Sequence, residues 1–355
     1  MTAAPTEETH GRDIPTALRS VMVVGFIYLF LVGVSTLEKG IKLLGEDAQE
    51  RLFESVSNPI AGLCVGILGT VLVQSSSAST SVIVGLVATG VISVEAAVPM
   101  IMGANIGTTV TNTIVALAHV RQSKEFQRAF AAATVHDFFN VFAVAILLPL
   151  QLLTGVISDI AAWIAENLVG SSAGSTWKSP IKEWVKRPVD WIVDFWEWVG
   201  LSGNVLAFTV VFTGLLIVLG ALALITKNMR QLVADRVERS VNKVLGTGTG
   251  SVAMLLGLVI TMLVQSSSIT TSILIPLCAA GVVSLRNAYP VTLGANVGTT
   301  ITALLAAMAT GSTDALTIAL VHTTFNMLGI LILYVPPWWR DAPVRSAPWN
   351  RACRR

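Results

Sequence analysis

The sequence Gln-Ser-Ser-Ser occurs twice, at residues 74–77 and 265–268, each time within a long apolar stretch. Each copy is followed at the same distance by a second polar motif, GANIGTT at 103–109 and GANVGTT at 294–300. A shift of 191 positions aligns the two halves, with 22 identities among the 40 residues of 72–111 and no gap. Polar interruptions at matching places in two hydrophobic halves are typical of transporters that bind their substrate between inverted repeats. The duplication therefore predicts an internally repeated membrane protein.

Composition supports the same class. Hydrophobic residues make up 53% of the chain and charged residues only 12%, with a mean hydropathy of +0.72. Soluble domains carry about twice that share of charge, so we expect an all-α polytopic membrane protein embedded in the lipid bilayer. The net charge of +2 gives no reason to expect a nucleic acid partner. The three cysteines have no spacing that indicates a disulfide framework or a metal-thiolate site.

Six segments are long and apolar enough to cross a bilayer. They are residues 20–37, 96–118, 132–154, 205–225, 289–309 and 315–335. The two Gln-Ser-Ser-Ser stretches, 58–90 and 251–283, are too short for two crossings each and are interrupted by polar residues, which favours re-entrant hairpins of two half-helices. The chain then divides into an N-terminal segment, the first repeat, an insert, the second repeat and a basic tail, at 1–19, 20–154, 155–203, 204–335 and 336–355.

The lysines and arginines predict the orientation. With both termini in the cytoplasm, 16 of the 23 Lys and Arg residues fall on the inner side and seven on the outer side, which agrees with the usual cytoplasmic excess. Each repeat then contains helix, hairpin, helix and helix, with three crossings. Because three is odd, the second repeat is inverted relative to the first. We therefore expect a multi-pass protein of the cell (inner) membrane with two inverted-topology repeats.

The insert between the repeats holds six of the nine tryptophans. Its apolar residues recur on one helical face, with a kink expected at Pro188: Ile181, Trp184, Val185, Trp191, Ile192, Phe195 and Trp198. Such a pattern is typical of a helix at the membrane surface, and it equally suits a lid packed on the protein. The sequence leaves these two alternatives open.

The hairpin tips are the predicted anion site. The half-helix after each break begins with unpaired backbone N–H groups and the positive end of its dipole, and the serines add hydroxyl donors. The glutamine amides could orient a ligand or brace the break. The candidate ligands of an oxyanion such as phosphate are Gln74, Ser75, Ser76, Ser77, Gln265, Ser266, Ser267, Ser268, Asn105 and Asn296.

An oxyanion in this site requires bound cations. Two helix ends supply roughly half a positive charge each, and no Lys or Arg remains for the spans. Sodium suits the hydroxyl, amide and carbonyl oxygens here, and the GANxGTT glycines would let the following helix partly unwind and expose carbonyls. Asp137 is the one carboxylate expected within a span, where it either serves function or caps a helix end. His136 and His322 recur in register as expected structural hydrogen bonders.

The motifs resemble those of the type II sodium–phosphate cotransporters and their bacterial relatives. The similarity rests on QSSSAST at 74–80, GANIGTTVTNT at 103–113, RAFAAATVHDFFN at 128–140, and the second QSSS and GANVGTT. It implies that both tips bind phosphate and that Asp137 marks an electrogenic member. The implied or candidate sodium ligands are Gln265, Ser266, Thr299, Thr302, Thr108, Thr111, Asp137 and Asn140. Gln122 and Ala295 depart from the animal members' residues at one sodium site.

These observations favour sodium-coupled uptake of inorganic phosphate by alternating access, with Na⁺ as the co-transported ion and no organic cofactor. One alternative keeps the site but changes the anion or the driving cation. Another, from a different class, is an intramembrane serine hydrolase with a tip serine as nucleophile and His136 as base. Neither tip serine lies in a Gly-x-Ser-Gly context or in a strand-turn-helix elbow, and such an enzyme has no use for the duplication. The sequence does not indicate an oligomeric state.

Overall fold

The computed structural model describes residues 15–170, 176–177, 179–247 and 250–348, with the backbone alone at residues 46 and 233–247. The predicted N-terminal segment up to residue 14 and the end of the basic tail from residue 349 lie outside this part. The described chain is helical, with one isolated bridge between Thr176 and Ser312. Its helices are α1 Thr16–Lys42, α2 Glu46–Val56, α3 Pro59–Val73, α4 Ser76–Ala88, α5 Val94–Gly107, α6 Val110–Leu117, α7 Ser123–Thr154, α8 Val156–Val169, α9 Pro180–Trp198, α10 Gly203–Thr247, α11 Gly250–Val264, α12 Ser267–Ala279, α13 Leu285–Thr310, α14 Thr313–Leu333 and α15 Ala342–Ser346.

Among the described residues, six helical segments are long and apolar enough to cross a membrane, and they overlap the six predicted spans; a seventh results if α2 and α3, bent by 97°, count as one span. The six are Thr16–Lys42, Val94–Leu117, Ser123–Thr154, Gly203–Leu232, Leu285–Thr310 and Thr313–Leu333. The end of the bundle at which α1 finishes is called the outer end below, after its predicted orientation, and the opposite end is the inner end. The predicted spans are confirmed in number and order, and their bounds differ from those of the helices by up to nine residues.

Each Gln-Ser-Ser-Ser stretch forms two short helices with a break between them, as predicted. α3 and α11 have 15 residues each and α4 and α12 have 13. At 1.5 Å per residue, 15 residues reach about 22 Å, which is less than the roughly 30 Å of a hydrocarbon core. The bounds of α11 and α12 equal those of α3 and α4 shifted by 191 positions. The two hairpins are therefore copies of one re-entrant structure.

The glycines of the GANxGTT motifs allow close packing between each hairpin and the helix that follows it. A Cβ atom at Gly107 of α5 would lie 2.8 Å from Ile67 O of α3, and one at Gly298 of α13 would lie 2.7 Å from Leu258 O of α11. Glycine permits this approach because it has no Cβ. The predicted unwinding occurs only in the first repeat, where α5 ends at Gly107 and α6 begins at Val110. In the second repeat it is wrong, because α13 continues through the same motif.

The insert forms two helices, and its apolar residues divide between two faces of α9. Val185 and Val189 are buried, whereas Trp184 and Trp191 are 66% and 68% exposed. The predicted apolar face is thus only partly buried, because α9 packs one edge of it on α1, α10 and α13 and leaves its tryptophans exposed. Pro188 lies inside α9 and does not end the helix.

Candidate functional site

Both hairpins turn at a glutamine in a left-handed backbone conformation. Gln74 has a φ of 55° and Gln265 a φ of 56°, and no other described residue except glycine has a positive φ. This conformation costs a residue with a side chain on the order of 1 kcal/mol or more. The surrounding structure therefore has to hold each glutamine in place, and it does so at the same position in both repeats.

Each glutamine is held by its own side chain. The Nε2 atoms of Gln74 and Gln265 donate to the carbonyl three residues earlier in the same half-helix, at 2.6 and 2.5 Å. The Oε1 atoms accept hydrogen bonds from Thr111 Oγ1 at 3.0 Å and from Thr302 Oγ1 at 2.7 Å. Both polar groups of each amide are thus used within the protein. This geometry fits the predicted bracing role of the glutamines.

The two tips open onto a common cavity of about 400 Å³. Residues 74–77 and 265–268 line one side, and Leu219, Leu222, Ala223 and Thr226 of α10 line another. No charged residue contributes to this lining within the described chain. The helices α4 and α12 both begin at the cavity, so their N-terminal backbone N–H groups and serine hydroxyls are the donors available to a ligand.

A cluster of oxygen atoms links the second tip to the first. Thr302 Oγ1, which donates to Gln265 Oε1, also lies 3.4 Å from Ser77 Oγ. Ser77 Oγ in turn lies 3.4 Å from the carbonyl oxygen of Gln265. All three residues are buried. Two hydroxyls, an amide oxygen and a backbone carbonyl therefore converge, and these are ligands that a hard cation such as sodium prefers.

The other residues assigned by sequence to this cation site lie beside the cluster. Thr299, one helical turn before Thr302, is buried and donates its hydroxyl to Ala295 O at 3.0 Å. Ser266 is the residue before α12 and lines the cavity. The structure thus brings Gln265 and Thr302 together directly and places Ser266 and Thr299 next to them. Ser77 contributes the additional oxygen atom to this cluster, although the sequence analysis assigned it to phosphate binding only.

Asn105 and Asn296 lie in a buried network and are not among the residues that line the cavity, so their role as phosphate ligands stays a prediction. Asn296 Oδ1 is 2.5 Å from His136 Nε2, and Asn296 Nδ2 donates to Asn140 Oδ1 at 2.8 Å. Asn140 Nδ2 donates to Asn105 O at 2.8 Å. These four residues are at most 4% exposed. They join α7 and α5 of the first repeat to α13 of the second.

Two further residues extend this network and were not predicted from the sequence. Asn112 Nδ2 lies 3.4 Å from His136 Nδ1, and Asn112 Oδ1 accepts from Thr271 Oγ1 at 2.6 Å. In the repeat alignment Asn112 corresponds to Ala303. A search for duplicated polar residues therefore passes over it. The TVTNT run at 109–113, with three hydroxyls around one amide, was the available signal.

Asp137 lies beside the interruption between α5 and α6. The side chain of Thr109 is within hydrogen-bonding reach of its carboxylate, and its Oδ1 atom is buried without a partner. Asn112 N donates to Thr109 O, three residues back, in place of the helical bond to Thr108 O. Thr108 donates its own hydroxyl to Ala104 O at 2.9 Å. At this interruption the Asp137 carboxylate therefore lies near a stretch of backbone in which a helical hydrogen bond is missing.

The geometry does not assemble a serine hydrolase. Both ring nitrogens of His136 face asparagine side chains, Asn296 and Asn112, at 2.5 and 3.4 Å. No tip serine contacts this imidazole among the hydrogen bonds of the described residues. A general base must reach the proton of its nucleophile directly or through one water. His136 here joins two repeats instead.

Comparison with known proteins agrees with the repeated architecture. The family model described as Na⁺/Pi-cotransporter matches residues 29–169 and 201–340, one match for each repeat. The human protein named sodium-dependent phosphate transport protein 2B is 33% identical over 417 aligned positions, which cover 93% of this chain and 60% of the relative. The sheep and rat proteins named sodium-dependent phosphate transport protein 2A are each 35% identical, covering 94% and 93% of this chain and 63% and 62% of the relatives. The chain thus spans about three fifths of these relatives' length. No solved structure matches it.

Proposed function

Because the chain belongs to the Na⁺/Pi-cotransporter family, we propose that it is a secondary transporter that couples sodium influx to the uptake of inorganic phosphate by alternating access. The proposal keeps phosphate as the anion held between the two tips and sodium as the driving ion. It needs no organic cofactor and no covalent chemistry.

The observation that carries the proposal is the convergence of the two hairpin tips on one cavity without charged lining residues. The N-termini of α4 and α12 contribute roughly half a positive charge each. Phosphate brings between one and two negative charges near neutral pH, since its second pKa is close to neutrality. The remaining negative charge has to be balanced by cations that bind with the anion. Sodium coupling is therefore an electrostatic consequence of an anion site built from helix ends.

The oxygen cluster at Gln265, Thr302 and Ser77 supports one sodium position. It combines atoms of both repeats, and Ser77 belongs to the tip that faces the phosphate cavity. A cation held there would stabilise the approach of the two tips and raise phosphate affinity. A second position is proposed beside Asp137, near Thr108, Thr111 and Asn140. The carboxylate of Asp137 would recruit one more sodium ion, which adds one positive charge to each cycle and makes transport electrogenic.

The orientation remains part of the proposal. With α1 starting in the cytoplasm, both termini lie inside and the insert lies outside the cell membrane. The predicted excess of Lys and Arg on the inner side supports this arrangement. Labelling of introduced cysteines with a membrane-impermeant maleimide in intact cells tests it, since only sites at the outer end should react.

Phosphate uptake into proteoliposomes tests the function. We expect radiolabelled phosphate to accumulate with an inward sodium gradient and not with an equal potassium or choline gradient. Equal accumulation in all three gradients would contradict sodium coupling. Preferential uptake of sulfate or another small oxyanion, with phosphate failing to compete, would favour the alternative anion.

A matched pair of serine variants locates the anion. Ser75 caps α4 by accepting from Ala78 N at 3.2 Å, and Ser93 caps α5 by accepting from Ala96 N at 3.3 Å. Both variants lose the same kind of cap, but only Ser75 lines the cavity. Ser75→Ala should raise the phosphate concentration for half-maximal uptake by about tenfold, or about 1.4 kcal/mol. Ser93→Ala should leave it unchanged.

A further inference from the structure

Helix α9 lies across the outer end of the bundle and not along it. At its start, Ser179 Oγ donates to Met308 O at 2.6 Å, next to the outer end of α13. Near its finish, Trp196 Nε1 donates to Thr213 Oγ1 at 3.2 Å, in the outer part of α10. Between these points it packs on α1, where Tyr28 Oη donates to Trp184 O at 2.9 Å, near the middle of that helix. Because both ends of α9 are attached to the outer parts of spanning helices, α9 runs roughly parallel to the membrane surface.

Three kinds of residue occupy three different sides of this helix. Val185, Val189 and Val193, spaced by four, are buried against the bundle. Trp184, Trp191 and Trp198, spaced by seven, are 66%, 68% and 82% exposed. At about 100° per residue, the tryptophans lie roughly 160° from the valines, and charged residues fill the arc between them on one side. The side facing the protein is thus already occupied, and the aromatic side is left for another partner.

A charged cleft of about 310 Å³ runs between α9 and the outer part of α1. Lys39 and Lys42 of α1 and Lys182 and Lys186 of α9 contribute to its walls. The same walls contain carboxylates, among them Glu38, whose Oε1 is 2.6 Å from Lys42 Nζ. A cleft with both signs of charge complements a ligand with both signs of charge more closely than a simple anion.

We propose that α9 is an in-plane membrane-interface helix that binds phospholipid. The aromatic side, with Trp184, Trp191 and Trp198, contacts the acyl chains near the headgroups, where tryptophan is favoured. The cleft holds a zwitterionic headgroup, with lysines on its phosphate and carboxylates on its ammonium group. The position of the helix at the ends of the spans places both features at headgroup level. The inference rests on the spanning helices and is independent of the proposed transport function.

Spin labelling in proteoliposomes tests the aromatic side. Single cysteines replace Trp184, Trp191 or Trp198 in a protein without its native cysteines and carry a nitroxide label. We expect collisions with oxygen to be frequent and collisions with a water-soluble nickel complex to be rare at all three sites. Glu197→Cys, on the charged side of the same helix, is the control and should show the reverse. Frequent nickel collisions at the tryptophan sites would mean water, and rare collisions with both reagents would mean a second copy or another protein. Either result overturns the proposal.

Native mass spectrometry with added phosphatidylethanolamine tests the cleft. The double variant Lys182→Gln and Lys186→Gln should retain about one lipid fewer than the parent protein and bind it at least about fivefold more weakly. Arg187→Gln, an exposed residue of the same helix outside the cleft lining, removes a charge without touching the cleft and should match the parent. Equal lipid retention by the double variant, or equally tight binding of phosphatidylglycerol, would contradict a zwitterionic headgroup site.

Discussion

The two repeats build the same hairpin tip and then use it in different surroundings. Gln74 and Gln265 have nearly the same φ and make the same pair of side-chain hydrogen bonds. In the first repeat Gln74 is exposed, whereas Gln265 is 8% exposed and lies against Ser77 of the opposite tip. Identical motifs therefore fix local geometry, and packing between repeats decides which copy becomes an interior site.

The helices that follow the tips differ in the same way. The letters GAN-x-GTT end helix α5 in the first repeat and lie inside the continuous helix α13 in the second. Since these letters are shared, the difference has to come from neighbours. Asp137 stands beside the break, and its counterpart Thr323 donates its hydroxyl to Ala319 O within its own helix. At this position the second repeat thus has a neutral side chain whose hydroxyl is hydrogen-bonded within its own helix.

The buried histidines show the third difference. His136 and Asn140 each bond to Asn296 of the other repeat. Their counterparts keep two atoms without partners, His322 Nδ1 and Asn326 Oδ1. α5, which carries Asn105, packs on α14 as α13 packs on α7. In the proposed alternating-access cycle, inverted repeats exchange roles, and we therefore expect Asn105 to bond with His322 and Asn326 in the opposite-facing state.

The largest expected effect separates the two histidines. His136→Ala leaves the side chains of Asn296 and Asn112 without their imidazole partner, whereas His322→Ala breaks no such bond in this state. Both residues are buried, so the cavities formed are similar and cancel in the comparison. The His136 variant should be less stable than the His322 variant by about 2–3 kcal/mol, the cost of two unsatisfied buried groups. Thermal unfolding in detergent measures the difference, and equal losses would show that the network contributes nothing.

Sequence reasoning recovered the features that depend on local pattern. The spans follow from hydrophobic length, and the hairpins follow from two apolar stretches too short to cross twice. The grouping of Gln265 with Thr302 was implied by the resemblance to the cotransporter family. The role of Asn112 and the interior position of Asn105 and Asn296 did not, because they depend on which helices of opposite repeats meet. No single-chain pattern contains that information.

The interruption at 108–109 was predicted for the wrong reason. Glycine was expected to loosen both helices, but in both repeats it serves close contact with the hairpin. One copy remains intact, so glycine content alone does not break the helix. The division of the apolar surface of α9 into a buried part and an exposed part was not predicted either. Valine and tryptophan are both apolar in a sequence pattern, and here they differ only in whether a neighbouring helix covers them.

The next difference between the two repeats that can be tested is the charge of Asp137. Asp137→Asn removes the carboxylate found in one repeat only and keeps its size. Moving one elementary charge through the membrane is worth about 2.3 kcal/mol per 100 mV. Uptake by the parent protein should therefore respond to an imposed potassium–valinomycin potential, and uptake by the variant should continue but lose this response. A variant that keeps the voltage response of the parent would contradict a charge-adding role for Asp137.

The smallest expected effect compares the two threonines that brace the tips. Thr302→Val and Thr111→Val remove equivalent hydroxyls and keep nearly the same shape. Thr302 is fully buried and its hydroxyl also lies beside Ser77, whereas Thr111 meets the exposed Gln74. The sodium concentration for half-maximal uptake should rise about tenfold in Thr302→Val, which corresponds to about 1.4 kcal/mol, and by less than about threefold in Thr111→Val. Phosphate affinity at saturating sodium should change little in either variant, because neither hydroxyl lines the cavity. If both variants raise the sodium requirement equally, the two braces are functionally alike and the burial of the second copy has no bearing on cation binding. If neither does, sodium binds elsewhere.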